Sequence, residues 1–293
     1  MTNPGMSTAS EGDFRVGRVL NQSEAILRRN FLALFVIGAI TYLPIPLFDL
    51  WFPDSEQEDL IGAGAVSTSQ VGLAVALLVF VTIVLSLLSQ SIILHVAFQH
   101  MRHRPASIVE ALKVGLGRFV PLLLLGICIG IVMMLLLVGL GMVVFGLSMA
   151  AGMTMLVNGS MASLLATTIL AVILGLVAAI GILFARWFVA GAACVVDRRW
   201  PFSALGRSAQ LTKGYRWRIF GLILLLFATG IVVSLVMNLL LGPFGSTILT
   251  LLGSLAWSAV WGAFYAIVVA VSYHDLRVAK EGMDIEQIAA VFD

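Results

Sequence analysis

Residues 119–149 read FVPLLLLGICIGIVMMLLLVGLGMVVFGLSM, an apolar stretch without one charged side chain. A helix that crosses a bilayer needs about 20 consecutive apolar residues, so this stretch predicts a transmembrane helix. Five further apolar runs lie near residues 31–52, 71–98, 163–196, 218–241 and 246–273. Pro44 and Pro46 interrupt the first run and predict a kink there. We therefore predict an all-α polytopic membrane protein with six transmembrane helices.

The composition of the chain agrees with a lipid environment. Of its 293 residues, 60% are hydrophobic and only 11% are charged, too few to cover a water-soluble domain. A net charge of +2 gives no reason to expect nucleic acid as a partner. Cys128 and Cys194 lie singly in apolar runs, so neither a disulfide nor a metal site is expected. We likewise expect no cofactor.

The basic residues predict the orientation of the chain. All 17 lysine and arginine residues fall on one side of the six runs, whereas the first loop on the other side is acidic between Asp49 and Asp59. Basic loops remain in the cytoplasm during membrane insertion. We therefore predict a multi-pass protein of the bacterial inner membrane with both termini in the cytoplasm.

An amphipathic segment precedes each pair of apolar runs, which indicates a threefold repeat of an interfacial helix plus a hairpin. In the third segment, Phe202 and Leu205 form an apolar face opposite Arg207 and Lys213. The whole chain is predicted to be a single membrane domain, 1–293. Its parts are a disordered N-terminus at 1–12, units at 13–101, 102–197 and 198–280, and a cytoplasmic tail at 281–293.

Helix length and glycine content predict how the helices pack. Taken to their next polar break, spans two, four and six cover 71–101, 163–197 and 248–280, longer than a bilayer requires. We expect their C-terminal ends to project together on the basic side. Five glycines of span three are expected to allow close packing between helices: Gly126, Gly130, Gly139, Gly141 and Gly146.

Two motifs resemble a known family. They are RWFVAGAACVVDRRWPFSALGRSAQLTKGYRWRIFGLILL at 186–225 and AFYAIVVAVSYHDLRVAKEGMDIEQIAAVF at 263–292. Both are similar to the multispan membrane domain fused to some bacterial glycerophosphodiester phosphodiesterases, which also occurs as stand-alone proteins. That family often has glutamate-glycine where Asp197-Arg198 stands here. The phosphodiesterase activity is not implied, because it belongs to a soluble barrel with a histidine-arginine-glycine motif that this chain lacks.

The basic hinges supply the candidate functional residues. Each basic residue near an anionic surface contributes about 1 kcal/mol of attraction, so we expect contact with anionic lipid headgroups or with a membrane-protein partner. Arg186, within an apolar stretch, must either pair with Gln90, Tyr273 or Asp275 or extend to lipid phosphate. The candidate contact residues are Arg186, Asp197, Arg198, Arg199, Arg207, Lys213, Arg216, Tyr273, Asp275 and Arg277.

We interpret the chain as a non-enzymatic protein that organises or senses lipid, or supports a partner, through these hinges. One alternative is a transporter or channel for a small or lipidic molecule, which would bring Gln90, Asn238 and Arg186 to one cavity. A second is a lipid-modifying enzyme, which would need a pocket joining His95 to Asp275. No aspartate or glutamate lies in the middle of a predicted span, and no zinc or intramembrane protease motif is present.

Overall fold

The computed structural model describes residues 14–51, 68–101, 108–155, 161–242 and 247–281. These residues form eleven helices and no strand, which confirms the all-α prediction. The helices are α1 (Val16–Arg29), α2 (Phe31–Tyr42), α3 (Pro44–Trp51), α4 (Thr68–Met101), α5 (Ile108–Gly117), α6 (Phe119–Met155), α7 (Met161–Trp187), α8 (Ala190–Val196), α9 (Pro201–Leu211), α10 (Arg216–Leu241) and α11 (Thr247–Glu281). The predicted disordered segment 1–12, the tail beyond residue 281 and most of the acidic loop lie outside the described residues.

Five of the described helices are long and apolar enough to cross a membrane: α4, α6, the end of α7 with α8, α10 and α11. A sixth crossing is obtained if the bent pair α1 and α2 forms one span. The protein is therefore a multi-pass membrane protein with five or six crossings. A shorter helix, α1, α5 or α9, comes before each pair of crossing segments.

The chain turns sharply between α1 and α2. The two helices meet at 91°, and Asn30 stands at the corner. The Asn30 side chain donates a hydrogen bond to the Ile26 carbonyl at 3.2 Å, while the Leu34 amide starts the next helix by bonding to the Asn30 carbonyl. If α2 crosses the bilayer, this right angle places α1 along the surface of the bilayer.

The first predicted span is a helix with a weak break. Between α2 and α3, the Leu43 amide bonds to the Ala39 carbonyl and the Leu47 amide bonds to the Leu43 carbonyl. Helical hydrogen bonding therefore continues past Pro44, the residue at which the sequence predicted a kink. Residues 31–51 together are about 31 Å long at 1.5 Å per residue, enough for one crossing.

Helix α11 is at the centre of the bundle and contacts α1, α2, α4 and α10. Its second half, residues 266–276, is almost entirely buried, as are residues 92–97 of α4 and 188–195 around α8. Away from these buried segments, many leucine, valine and phenylalanine side chains of α4, α6 and α10 are exposed. In a membrane, lipid would cover them. The packed core thus lies at one end of the bundle, where the basic residues also gather; we call this the basic end.

The fourth apolar run does supply a crossing, as predicted, but its helix is interrupted near the end of the run. Helix α7 ends at Trp187, and α8 begins at Ala190 after a short turn. The reason lies in α9: the Ser208 hydroxyl donates to the Arg186 carbonyl at 2.8 Å, and the Thr212 hydroxyl approaches the same oxygen at 3.4 Å. Side chains from a later helix thus satisfy a carbonyl that would otherwise accept the amide four residues on.

Long helices occur in spans two and six, as predicted, and also in span three. Helices α4 and α11 have 34 and 35 residues, in agreement with the prediction, but α6 has 37. At 1.5 Å per residue these three helices extend about 51–56 Å, well beyond a hydrocarbon core of about 30 Å. The ends of α8 and α11 do meet at the basic end, through Asp197 and Arg277.

The glycines of α6 do not form close helix contacts within the described residues. A β-carbon added at Gly130, Gly139, Gly141 or Gly146 would meet no atom within 4 Å, and one at Gly126 would only touch Leu87 at 3.9 Å. The prediction about span three is therefore wrong, because most of α6 lies on the outside of the bundle.

Close packing occurs instead at glycines of other helices. At Gly38 of α2, an added β-carbon would lie 2.5 Å from the Ala259 carbonyl oxygen of α11. At Gly262 of α11, an added β-carbon would lie 2.7 Å from the Tyr42 ring. The α2–α11 contact therefore depends on a missing side chain on each helix.

Candidate functional site

A network of charged side chains connects α8, α9 and α11 at the basic end. Asp197, which ends α8, has 12% of its side chain exposed and lies among three arginines. The Arg207 Nε donates to Asp197 Oδ2 at 3.3 Å, the Arg277 Nη1 lies 3.7 Å from Asp197 Oδ1, and the Arg199 Nε lies 3.8 Å from Asp197 Oδ2. We call these residues, together with Glu281, the Asp197 cluster.

Glu281 supplies the second carboxylate of the cluster. The Arg277 Nε donates to Glu281 Oε2 at 2.8 Å, and Arg207 pairs with the other carboxylate oxygen. Arg207 therefore bridges Asp197 and Glu281, which lie on different helices. Three guanidinium groups and two carboxylates leave one excess positive charge.

The position of Arg207 differs from the sequence interpretation. Its side chain is only 18% exposed and turns inward instead of lying on an open polar face. Burial disfavours the charged guanidinium, but the hydrogen bond to Glu281 and the carboxylates of Glu281 and Asp197 outweigh it and raise the pKa of Arg207 above its ordinary value. Arg207 of α9 thus links the end of α8 to α11 through ion pairs with Asp197 and Glu281.

The face of α9 that packs on the protein consists of small residues. Ala204 and Ser208 are fully buried and Leu211 nearly so, whereas Phe202 is 78% exposed. Phe202 therefore points away from the bundle, whereas Leu205 of the same predicted apolar face packs against the core. An exposed aromatic side chain beside a charged cluster is typical of a helix at a membrane surface.

Tyr273 is fully buried next to the Asp197 cluster. Its ring meets Phe98 edge-on, with the ring centroids 6.1 Å apart. The hydroxyl approaches the Asp197 carboxylate, but it makes no hydrogen bond of good geometry with any described residue. Tyr273 therefore lies on the buried side of the Asp197 cluster.

The remaining predicted residues lie apart from this cluster. Arg186 is exposed, and among the described residues its guanidinium contacts none of Gln90, Tyr273 and Asp275, its predicted partners. Lys213 is exposed, and Arg216 is half-buried with its Nε unpaired among the described groups. Asp275 is 9% exposed and lies 3.8 Å from the adjacent His274 ring.

Arg198 occupies an unusual backbone conformation. It follows α8 with φ of 52°, in the left-handed region that glycine adopts without strain. Its neighbours Asp197 and Arg199 belong to the cluster, so the tight turn aims their side chains at α9 and α11. The strained turn after α8 thus helps to position the Asp197 cluster.

We expect Arg198→Gly to raise the free energy of unfolding by about 0.5–1 kcal/mol, because glycine relieves the left-handed strain at a smaller entropic cost. Thermal unfolding in detergent would measure it. Arg198→Ala removes the same charge but keeps the strain, so it should bring no gain. Equal gains from alanine and glycine would contradict this account of the turn.

Exposed aromatic residues surround the basic end. Trp200 is 67% exposed and Trp217 is 81% exposed; they lie on either side of α9 in the chain, and the exposed Phe202 lies in its first turn. The exposed cations Arg198, Arg199 and Lys213 lie in the same short segment. Tryptophan next to arginine and lysine is the composition found where helices meet lipid headgroups. We call Arg198, Arg199, Trp200, Phe202, Lys213 and Trp217 the hinge belt.

The three residues proposed for a transport path do not line one hollow, although two of them line neighbouring ones. Gln90 lines a cavity between α2, α4 and α11, Asn238 lines a groove between α7, α10 and α11, and Arg186 lines neither. Neither hollow contains His95 or Asp275, the pair expected in a lipid-modifying enzyme. Across the described residues, no three histidine, cysteine, aspartate or glutamate side chains group as a metal site.

The fold and the basic end together define a class: an all-α, multi-pass membrane protein with short helices packed at one end of its bundle. No protein-family model matches the chain, and neither a curated protein nor a solved structure matches it significantly.

Proposed function

We propose that the protein is a non-enzymatic membrane protein that binds anionic lipid headgroups at the hinge belt and thereby organises or senses lipid. The observation that carries the proposal is the exposure of Arg198, Arg199 and Lys213 beside Trp200 and Trp217. Cations at this position attract phosphate, and the indole rings hold the segment at headgroup depth.

The arginines of the basic end differ in how far nearby carboxylates compensate their charge, and this difference supports the proposed function. Arg207 and Arg277 are each held by both carboxylates of the Asp197 cluster, so their charge is largely compensated. Arg199 touches the cluster only at 3.8 Å with 47% of its side chain exposed. The cluster thus fixes the shape of the hinge, while the outer cations remain accessible to headgroups.

Arg186 extends the same surface. Its backbone carbonyl is held by α9, whereas its side chain is exposed at the end of an apolar helix. A long cation in that position reaches the headgroup layer by extending along the helix. Arg186 and the hinge belt would then contact the same lipid layer.

We propose that the basic end lies on the cytoplasmic side of a bacterial inner membrane, because every lysine and arginine except Arg186 precedes, follows or separates the predicted spans on that side, and Arg186 lies late in the fourth span. From the two motifs at 186–225 and 263–292, we also propose that the chain is a stand-alone relative of the phosphodiesterase membrane domain. A membrane-protein partner docking on the belt is a further part of the proposal, since aromatic and basic side chains serve both kinds of contact.

We expect the triple change Arg186→Gln, Arg198→Gln and Lys213→Gln to abolish stabilisation by anionic lipid. The wild-type protein should unfold at a higher temperature in phosphatidylglycerol nanodiscs than in phosphatidylcholine nanodiscs. Each lost cation removes about 1 kcal/mol of attraction to the anionic surface, so this difference should disappear.

Two control variants separate charge from shape. Arg186→Lys with Arg198→Lys keeps the charge and should keep the difference between the lipids. Gln210→Ala changes an exposed, uncharged side chain on α9 and should leave it unchanged. An undiminished preference for phosphatidylglycerol in the glutamine triple variant would overturn the proposal.

A further inference from the structure

A polar cavity of about 330 Å³ lies between α2, α4 and α11. Its polar groups come from all three helices: Thr41, Tyr42, Ser86, Ser89, Gln90 and Tyr265. Among the described residues, the rest of its wall consists of apolar side chains, glycines and Trp261, and none of them is acidic, basic or a histidine. The cavity therefore offers hydrogen bonds without offering a charge.

Most of these polar groups are unpaired. The Thr41 hydroxyl bonds to the Ile37 carbonyl at 2.8 Å, but Ser86, Ser89 and Gln90 make no side-chain hydrogen bond to any described residue. Ser89 is also 92% buried, since only 8% of it is exposed. Its hydroxyl belongs to the cavity wall, where it is available to hydrogen-bond to a molecule bound there.

The cavity lies deep within the spanning region. Gly38 and Tyr42 of its wall come 7 and 11 residues after Phe31, where the chain turns from α1 into α2. At 1.5 Å per residue this is about 10–17 Å from the surface on which α1 would lie, close to the middle of a hydrocarbon core of about 30 Å. A charged group at that depth is costly, so the occupant is uncharged.

An apolar groove of about 740 Å³ adjoins this cavity on α11. It is lined by Phe184 of α7, by one face of α10 that includes Phe227, and by Trp257 of α11. Trp261 and Tyr265 belong to the walls of both hollows. The polar cavity and the apolar groove therefore adjoin at these two rings and match the two parts of a lipid with a small polar head and an apolar chain.

We propose that the cavity and the groove together bind one uncharged lipid of the diacylglycerol type. Its free hydroxyl and ester oxygens occupy the cavity near Ser89 and Gln90, and an acyl chain lies in the groove against Phe227 and Trp257. The site is separate from the hinge belt and selects the opposite kind of lipid, because the belt presents cations and the cavity has none.

Photo-crosslinking in phosphatidylcholine vesicles tests this proposal. A diacylglycerol carrying a diazirine on its acyl chain should label α10 between residues 223 and 238 and α11 between 257 and 265, and unlabelled diacylglycerol should compete. Phosphatidylglycerol at the same concentration should not. We expect Ser89→Ala combined with Gln90→Leu to reduce this labelling at least about fivefold, since both hydrogen-bonding groups are lost.

Two further variants keep the result interpretable. Ser234→Phe places a ring in the groove and should also reduce labelling, without touching the cavity. Thr82→Val, on the same helix as Ser89, removes a hydroxyl that already bonds to the Leu78 carbonyl and should leave labelling unchanged. Equal competition by phosphatidylglycerol, or full labelling of the Ser89 and Gln90 double variant, would overturn the proposal.

Discussion

Replacing Asp197 by asparagine is expected to lower the free energy of unfolding by about 2–3 kcal/mol. The carboxylate is mostly buried and neutralises parts of Arg199, Arg207 and Arg277, which its loss would leave facing one another. Removing one member of a buried ion pair costs about 3–5 kcal/mol, and the partial exposure of this cluster places the expected loss below that range. Denaturant titration in mixed micelles would measure it.

The control for this prediction is Asp275→Asn on the same end of α11. That carboxylate is also buried, but its Oδ2 has no partner among the described groups, and its Oδ1 lies 3.8 Å from the His274 Nδ1 and pairs with no arginine or lysine there. We expect its neutral variant to change the free energy of unfolding by less than about 0.5 kcal/mol, or to stabilise the protein, because no ion pair is lost. Equal losses in both variants would show that the Asp197 cluster has no special role.

Gly38→Ala is expected to lower the free energy of unfolding by about 2 kcal/mol. The added β-carbon would lie 2.5 Å from the Ala259 carbonyl oxygen, and because that atom is backbone, α2 and α11 must move apart. Overpacking of this kind costs about 1–3 kcal/mol, more than the helix propensity that alanine gains over glycine. The same titration would measure the loss.

Gly141→Ala is the matched control. An added β-carbon there meets nothing within 4 Å, so we expect a gain of up to about 1 kcal/mol from helix propensity alone. If Gly38→Ala were tolerated as well as Gly141→Ala, the close contact between α2 and α11 would not be a determinant of the fold.

The contrast between Gly38 and the glycines of α6 shows what could not be predicted from the sequence alone. The five glycines of α6 formed the more conspicuous pattern, yet they lie on the outer helix, while the isolated Gly38 makes the close contact. The apolar runs predicted where the long helices lie, because lipid requires a minimum length of apolar chain, but they did not predict the turn within the fourth run. Which helix lies opposite a given glycine depends on the tertiary arrangement, and no local pattern records it.

The candidate site, too, could be predicted only in part from the sequence. Asp197, Arg199, Arg207 and Arg277 were candidates for lipid or partner contact because of their charge; that they pair with one another was not predicted, and their contact with lipid stays a prediction. Glu281 was missed because it had been assigned to the tail, although its spacing of four residues from Arg277 was a usable signal for a helical pair. The break before α8 had no such signal, because it depends on Ser208 and Thr212, more than 20 residues further along the chain.

The most direct test of lipid binding at the hinge belt is to identify the retained lipids. Native mass spectrometry of the protein released from nanodiscs containing equal amounts of phosphatidylglycerol and phosphatidylcholine would count them. We expect phosphatidylglycerol to predominate among lipids bound to the wild-type protein and to fall to its share of the bilayer in the variant with Arg186, Arg198 and Lys213 changed to glutamine. Equal retention of the two lipids by the wild-type protein would contradict the account.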